Sequence, residues 1–198
     1  MESKRSEFFD LGIVFFVFSF IGWIYEIILS ICVGSLCDPG FLTGPYLAVY
    51  GGTIIIVFIL LGSKKEKKGI IKIMTKHQIT GIIFTTIIYM LISGLCVTSV
   101  EFVSAKLLYS NFSVRLWDYS VMPYNYEGFI SLPTSLLWIV LIPIIMFIFF
   151  DLIYYLIKKI PIKVSKIISF ILISIFVIDI IFNVSFILIN GYSFRLYI

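Results

Sequence analysis

Three carboxylates stand where an apolar chain has little use for one. Glu26 ends FSFIGWIYE with apolar residues on both sides, Glu101 closes the run GLCVTSVE, and Asp179 lies inside ISIFVIDIIFNVSF with Asn183 four residues on. An ionisable group at membrane depth costs about 2.5–3.5 kcal/mol on insertion scales, so it turns to a bundle interior or a water-filled cavity. Two carboxylates at one depth would share a proton, because like charges disfavour joint ionisation, or attract a cation. A cation site, a proton-coupled site and a general acid/base pair all fit that chemistry. The plainer reading is an interhelical hydrogen bond that serves packing alone.

The elements that must position these groups follow from composition. Hydrophobic residues make up 61% of the chain and charged ones 13%, about half the charged share of an ordinary globular domain. A mean hydropathy of +1.12 therefore marks an all-α polytopic membrane protein. A span needs roughly 20 apolar residues, and five segments come near it: about 11–33, 46–62, 79–100, 134–157 and 167–189. MESKRSEFF is too short and too acidic for a signal n-region, so the first helix is expected to stay. No internal repeat or Pro- or Gly-rich linker divides the chain, and one bundle over residues 1–198 is the simplest organisation.

Basic residues sort the loops. Lys4 and Arg5 precede the first helix, six lysines lie in 63–77 and four in 158–166, against Lys106, Arg115 and Arg195 in the alternate segments. The positive-inside rule then places the N-terminus inside and the C-terminus outside. The lysine runs belong beside lipid headgroups of the bilayer rather than on nucleic acid.

The outer side carries the unusual sequence. EFVSAKLLYSNFSVRLWDYSVMPYNYEGFISLP, between the third and fourth helices, is long and rich in aromatics, which points to a structured outer cap over about residues 101–132, including a short interfacial helix near 102–109. Ser19, Gly22, Glu26 and Ser30 form a small-residue stripe on the first helix, and Gly94, Thr98 and Glu101 share a face of the third. Gly44-Pro45 places proline at the start of the second helix, with Ala48, Gly51 and Gly52 as a small face able to approach Gly22. The positive end of that helix should point toward Glu26 and Glu101. Asp151 is expected at the interface near Lys158 and Lys159, and Pro143 should kink the fourth helix.

Several chemistries are excluded. Gly62-Ser63-Lys64 has the wrong order for a P-loop, so the chain does not bind ATP by that route. His77, the single histidine, sits in the lysine-rich loop away from the acids, which leaves no Ser-His-Asp, Cys-His or His-metal arrangement. No metal site and no cofactor are expected. Cys32, Cys37 and Cys96 lack CxxC spacing and read as small apolar side chains, with a bridge from Cys32 to Cys37 as the lesser alternative.

At these residues the sequence resembles a known family. FSFIGWIYEIILSI, then GFLTGPYLAVYG, then Glu101 opening a segment with LWDYS, PYNYEGFISL and SLLW, is similar to the bacterial ABC-transporter permease family, type IV, over about residues 15–138. The resemblance implies a small multi-pass protein of the inner (cytoplasmic) membrane with a transport role. It marks Gly22, Trp23, Glu26, Gly40, Phe41, Gly44, Pro45, Tyr50, Gly51, Glu101, Trp117, Asp118, Tyr119, Ser120, Asn125 and Gly128 as motif positions. Where that family tends to have Asn-Arg this chain has Asp38-Pro39, where it has Cys-Pro-Ile this chain has Leu47-Ala48-Val49, and a basic position is Phe129. These departures remove two counterions for the acids. An ABC system would further imply a separate ATPase subunit docked chiefly on loop 63–77, and an oligomer is compatible with it.

The first expectation is a permease or transport component whose substrate site, open to the outer leaflet, is formed by Glu26, Glu101, Trp117, Asp118 and Tyr119, with Asn125 added by the resemblance. The alternatives are a membrane-embedded enzyme using Glu26 and Glu101 on a lipid-like substrate, and an accessory or regulatory subunit whose cap docks a partner. The absence of a recognisable catalytic motif leans against an enzyme.

Overall fold

The computed structural model describes residues 7–34, 40–66, 71 and 79–194. Asp38, Pro39, Cys37 with its alternative bridge, His77, Arg195, and the lysines of 63–77 beyond position 66 lie outside the described residues. Long apolar runs without internal glycine-proline breaks become helices: α1 Glu7–Val33, α2 Ala48–Leu61, α3 Ile79–Phe112, α4 Leu132–Lys158 and α5 Ile162–Asn190. Within α4, Ile145–Phe150 is a wider π-helical stretch just after Pro143. The proline has no N–H for the helical ladder and its ring crowds the carbonyl four residues back, and a π-turn is one way a helix absorbs such a break. A two-stranded hairpin, β1 Asn125–Tyr126 and β2 Ile130–Ser131, pairs antiparallel ahead of α4.

Among the described residues four helices are long and apolar enough to cross a membrane: α1, α3, α4 and α5. Large apolar side chains point outward along them, among them Ile83, Leu95, Leu136, Ile148, Phe170 and Ile178. A water-soluble surface does not tolerate such continuous apolar exposure; in a bilayer it is the solvated face. The chain is thus an all-helical, multi-pass membrane protein.

Three boundaries differ from those read in the sequence. α1 starts earlier, at Glu7, and takes Asp10 into its first turn. α2 begins at Ala48, so Pro45 lies in the irregular segment before the helix rather than at its first position. α3 does not stop near residue 100 before a separate short helix, but runs unbroken to Phe112. Hydropathy falls at Glu101, yet EFVSAKLLYSNF contains neither glycine nor proline, and helix propensity continues where apolarity ends.

The chain forms two compact units. The first comprises Met1–Gly52, Leu107–Leu116 and Ile157–Ile198, within the described residues. In it α1 packs on α5: the Ser165 hydroxyl donates to Asp10 at 2.8 Å, Gly12 leaves room for the Ser169 side chain, and Phe16 meets Phe176 edge-on at 5.8 Å. Partners on the two helices rise together, so α1 and α5 run in the same direction. The second unit comprises Thr53–Lys106 and Trp117–Leu156. There α3 and α4 run antiparallel, with Tyr89 against Phe147 and Gly94 against Ile139. Phe58, Phe150 and Tyr154 form its aromatic core.

Candidate functional site

In the first unit, Glu26 is half-buried and accepts a hydrogen bond from the Tyr50 hydroxyl at 2.5 Å. The position of Tyr50 depends on two close approaches. Its ring lies on Gly22, where a Cβ would stand 2.3 Å from the ring. One residue on, a Cβ at Gly51 would stand 2.2 Å from the backbone carbonyl oxygen of Phe15. The small-residue stripe of α1 is therefore the surface on which the first turn of α2 rests. Trp23 stacks on Phe20 at 6.0 Å.

The segment before α2 has no regular structure, and its polar groups find partners on α5. Thr43 N and Gly44 N donate to the two Asp179 carboxylate oxygens at 3.3 and 3.0 Å, and the Tyr46 hydroxyl donates at 2.6 Å. The Asn183 amide, almost fully buried, donates to Asp179 Oδ1 at 2.8 Å and to Thr43 Oγ1 at 3.0 Å. Leu47 N donates to the backbone carbonyl of Ser19 at 3.0 Å. Among motif positions, Gly40 has φ +111° and Pro45 is exposed beside this cluster. The carboxylate that meets backbone N–H groups ahead of α2 is thus Asp179. Glu26 takes a tyrosine hydroxyl instead.

In the second unit, Glu101 is buried and accepts from the Tyr119 hydroxyl at 2.9 Å. One turn earlier on the same face, Thr98 Oγ1 is shielded and has no hydrogen-bond partner among the described residues. Trp117 Nε1 donates to the Phe129 carbonyl at 2.7 Å, and Asp118 is exposed and accepts from Ser120 N at 2.9 Å. Asn125 donates to the carbonyls of Ser120 and Met122 and accepts from Gly128 N. The hairpin turn carries positive φ at both Glu127 and Gly128, the geometry of a type I′ turn. The polar atoms of Trp117 and Asn125 are therefore engaged in folding the 117–131 segment. Lys106 pairs with Glu127 at 3.1 Å, both half-exposed.

Asp151, expected at the interface near Lys158 and Lys159, is enclosed by protein at the start of the lysine-rich loop. It is buried, accepts from the Ser63 hydroxyl at 2.5 Å and from Lys65 N at 3.1 Å, and so ties the 62–66 turn to α4. The Tyr89 hydroxyl donates to the Gly62 carbonyl of the same turn at 3.0 Å. Sequence reasoning singled out Asp179 and Asn183 by their spacing on one helical face, but no local signal names Thr43 and Tyr46 as partners. Cys32 and Cys96 carry free thiols. Among the described residues no group of three or more His, Cys, Asp and Glu side chains comes together.

A family model described as "Putative ABC-transporter type IV" matches residues 13–184. The match extends beyond residue 138 through α4 and over most of α5, and so includes Asp179 and Asn183. No curated protein and no solved structure matches the chain.

Proposed function

Because the chain belongs to the "Putative ABC-transporter type IV" family, we propose that it is the membrane-embedded permease of a transport system in the cytoplasmic membrane. Its N-terminus is inside and its C-terminus outside, as the lysine-rich 63–77 and 158–166 loops favour. The chain has no P-loop, so a separate ATPase docked on the 63–77 loop supplies the energy.

One observation supports this site: a carboxylate inside an apolar span, Glu26, is half-buried and accepts from the Tyr50 hydroxyl. A group that serves packing alone would be enclosed by its partners. Glu26 instead keeps acceptor capacity for a passenger that brings a positive charge or a proton. Glu101 is buried with the Tyr119 hydroxyl and is the second carboxylate of this reading. Trp117, Asp118 and Asn125 shape the segment that presents Tyr119.

The test compares accumulation of labelled small solutes, cations first, by cells carrying the native chain and cells carrying Glu26→Gln. The solute whose uptake depends on the native chain is the passenger. Glu26→Gln is expected to lower its uptake at least tenfold at equal membrane abundance, and wild-type uptake by that variant sinks the proposal.

A further inference from the structure

We propose that the second membrane crossing is a broken one: an irregular half, residues 40–47, reaches the middle of the bilayer and is latched there by Asp179, and the half-length helix α2 completes it. This goes beyond the transport reading, since it concerns how the chain crosses the membrane and which contact holds it.

Depth is the first support. The Leu47 amide meets Ser19 on α1, and at ~1.5 Å per residue Ser19 stands about 18 Å from the Glu7 end and about 21 Å from the Val33 end. Asp179 lies about 16 Å from the Asn190 end of α5 by the same rise. Residues 43–47 are therefore near mid-span on both neighbours. The contacts then descend together, Leu47 at Ser19 and Gly51 at Phe15, so α2 sets off antiparallel to α1 from that level.

Length is the second. α2 has 14 residues, about 21 Å, against a hydrocarbon core of about 30 Å. It is too short for a full crossing and long enough to complete one begun at mid-depth.

Topology is the third and is independent of both. α1 and α5 run in the same direction, so an odd number of crossings must separate them. α3 and α4, each long enough to span, supply two. The remaining crossing falls to the stretch that contains α2.

Chemistry explains why the break is tolerated. Non-helical backbone at membrane depth persists only where protein or enclosed water satisfies its N–H and C=O groups. The Asp179 carboxylate takes both free amides of Thr43 and Gly44, the Tyr46 hydroxyl and the Asn183 amide. A carboxylate is the acceptor able to collect four donors at one point. Removing it leaves the tip of the irregular half without its anchor.

Disulfide crosslinking in native membranes, on the full chain with Cys32, Cys37 and Cys96 replaced by serine, tests the depth and the latch separately. Thr43→Cys is expected to crosslink with Asn183→Cys, at mid-span, at least fivefold more than with Asn190→Cys at the helix end. The reverse preference places the segment at the surface and overturns the broken crossing. For the latch, the reporter pair is Leu42→Cys with Asn183→Cys, which leaves Thr43 intact. Adding Asp179→Ala is expected to cut its crosslinking at least fivefold, with Tyr46→Phe giving a smaller loss. Should Asp179→Ala not accumulate, Asp179→Asn and Tyr46→Phe take its place with an expected loss of twofold or more. Unchanged crosslinking in the accumulating variants overturns the latch. None of these readouts depends on transport, so they stand apart from the Glu26→Gln uptake result.

Discussion

Glu26 and Glu101 meet the same difficulty with the same partner, a tyrosine hydroxyl from a neighbouring element. A phenol donates one strong hydrogen bond without bringing a charge, which suits a carboxylate that must keep accepting capacity in an apolar setting. Tyr50→Phe should therefore lower passenger uptake in the same direction as Glu26→Gln while the protein still inserts, because it withdraws the positioning bond and keeps the ring on Gly22. The glycines make a second residue-scale test. Gly51→Ala would drive a Cβ into the Phe15 carbonyl, whereas a Cβ at Gly52 meets no more than the Phe15 ring edge at 4.0 Å. Overpacking of this kind costs about 1–3 kcal/mol, so thermal unfolding in detergent should show Gly51→Ala clearly destabilised and Gly52→Ala near native. The sequence made the small face legible through Gly22 and Gly51. It did not show which of two adjacent glycines is pressed against backbone, since that depends on the rotation of α2.

At the scale of elements, α4 shows how a defect is built into a helix. Pro143 interrupts the ladder, the π-helical Ile145–Phe150 follows, and Phe150 is brought against Phe58 at 4.5 Å and Tyr154 at 5.4 Å. Phe150 is fully buried while its neighbour Phe149 is half-exposed. Phe150→Ala should cost about 3–5 kcal/mol as a large-to-small core change, and Phe149→Ala far less, by denaturant unfolding in mixed micelles. Asp151 then closes the element on the 62–66 turn. Asp151→Ala strands the Ser63 hydroxyl and the Lys65 amide and should cost about 2–6 kcal/mol, at about 1–3 kcal/mol for each unsatisfied donor. At a solvent-exposed carboxylate the same change would be nearly silent. The proline break was visible in the sequence, whereas the burial of Asp151 was not, because its partners lie at |i−j| of 88 and 86.

For the whole molecule, the charge pattern and the family agree on a multi-pass membrane protein, and family membership gives no support to the paired-carboxylate enzyme or the accessory subunit. The proposed orientation has a direct consequence for accessibility. A cysteine at Lys64 should react with an impermeant maleimide only from the cytoplasmic side, and one at Asp118 only from the outside. Labelling of both from one side would reverse or remove the inside-outside assignment. Docking of an ATPase on the 63–77 loop predicts further that Lys64→Glu with Lys65→Glu weakens co-purification of that subunit without altering the labelling pattern.

Composition alone determined the solvent of this protein: with so many apolar residues and so few charges, only lipid can cover the surface, and four of the helices follow from run length. Spacing along a helix also gathered Ser19, Gly22 and Glu26 on one face of α1, because side-chain direction repeats with the helical period. Tertiary structure decided who meets them. Asp179 and the Thr43, Gly44 and Tyr46 donors stand at |i−j| of 136, 135 and 133, and no local pattern encodes a pairing at that distance. It arises when α1 and α5 pack side by side and the irregular segment before α2 needs an acceptor for its amides.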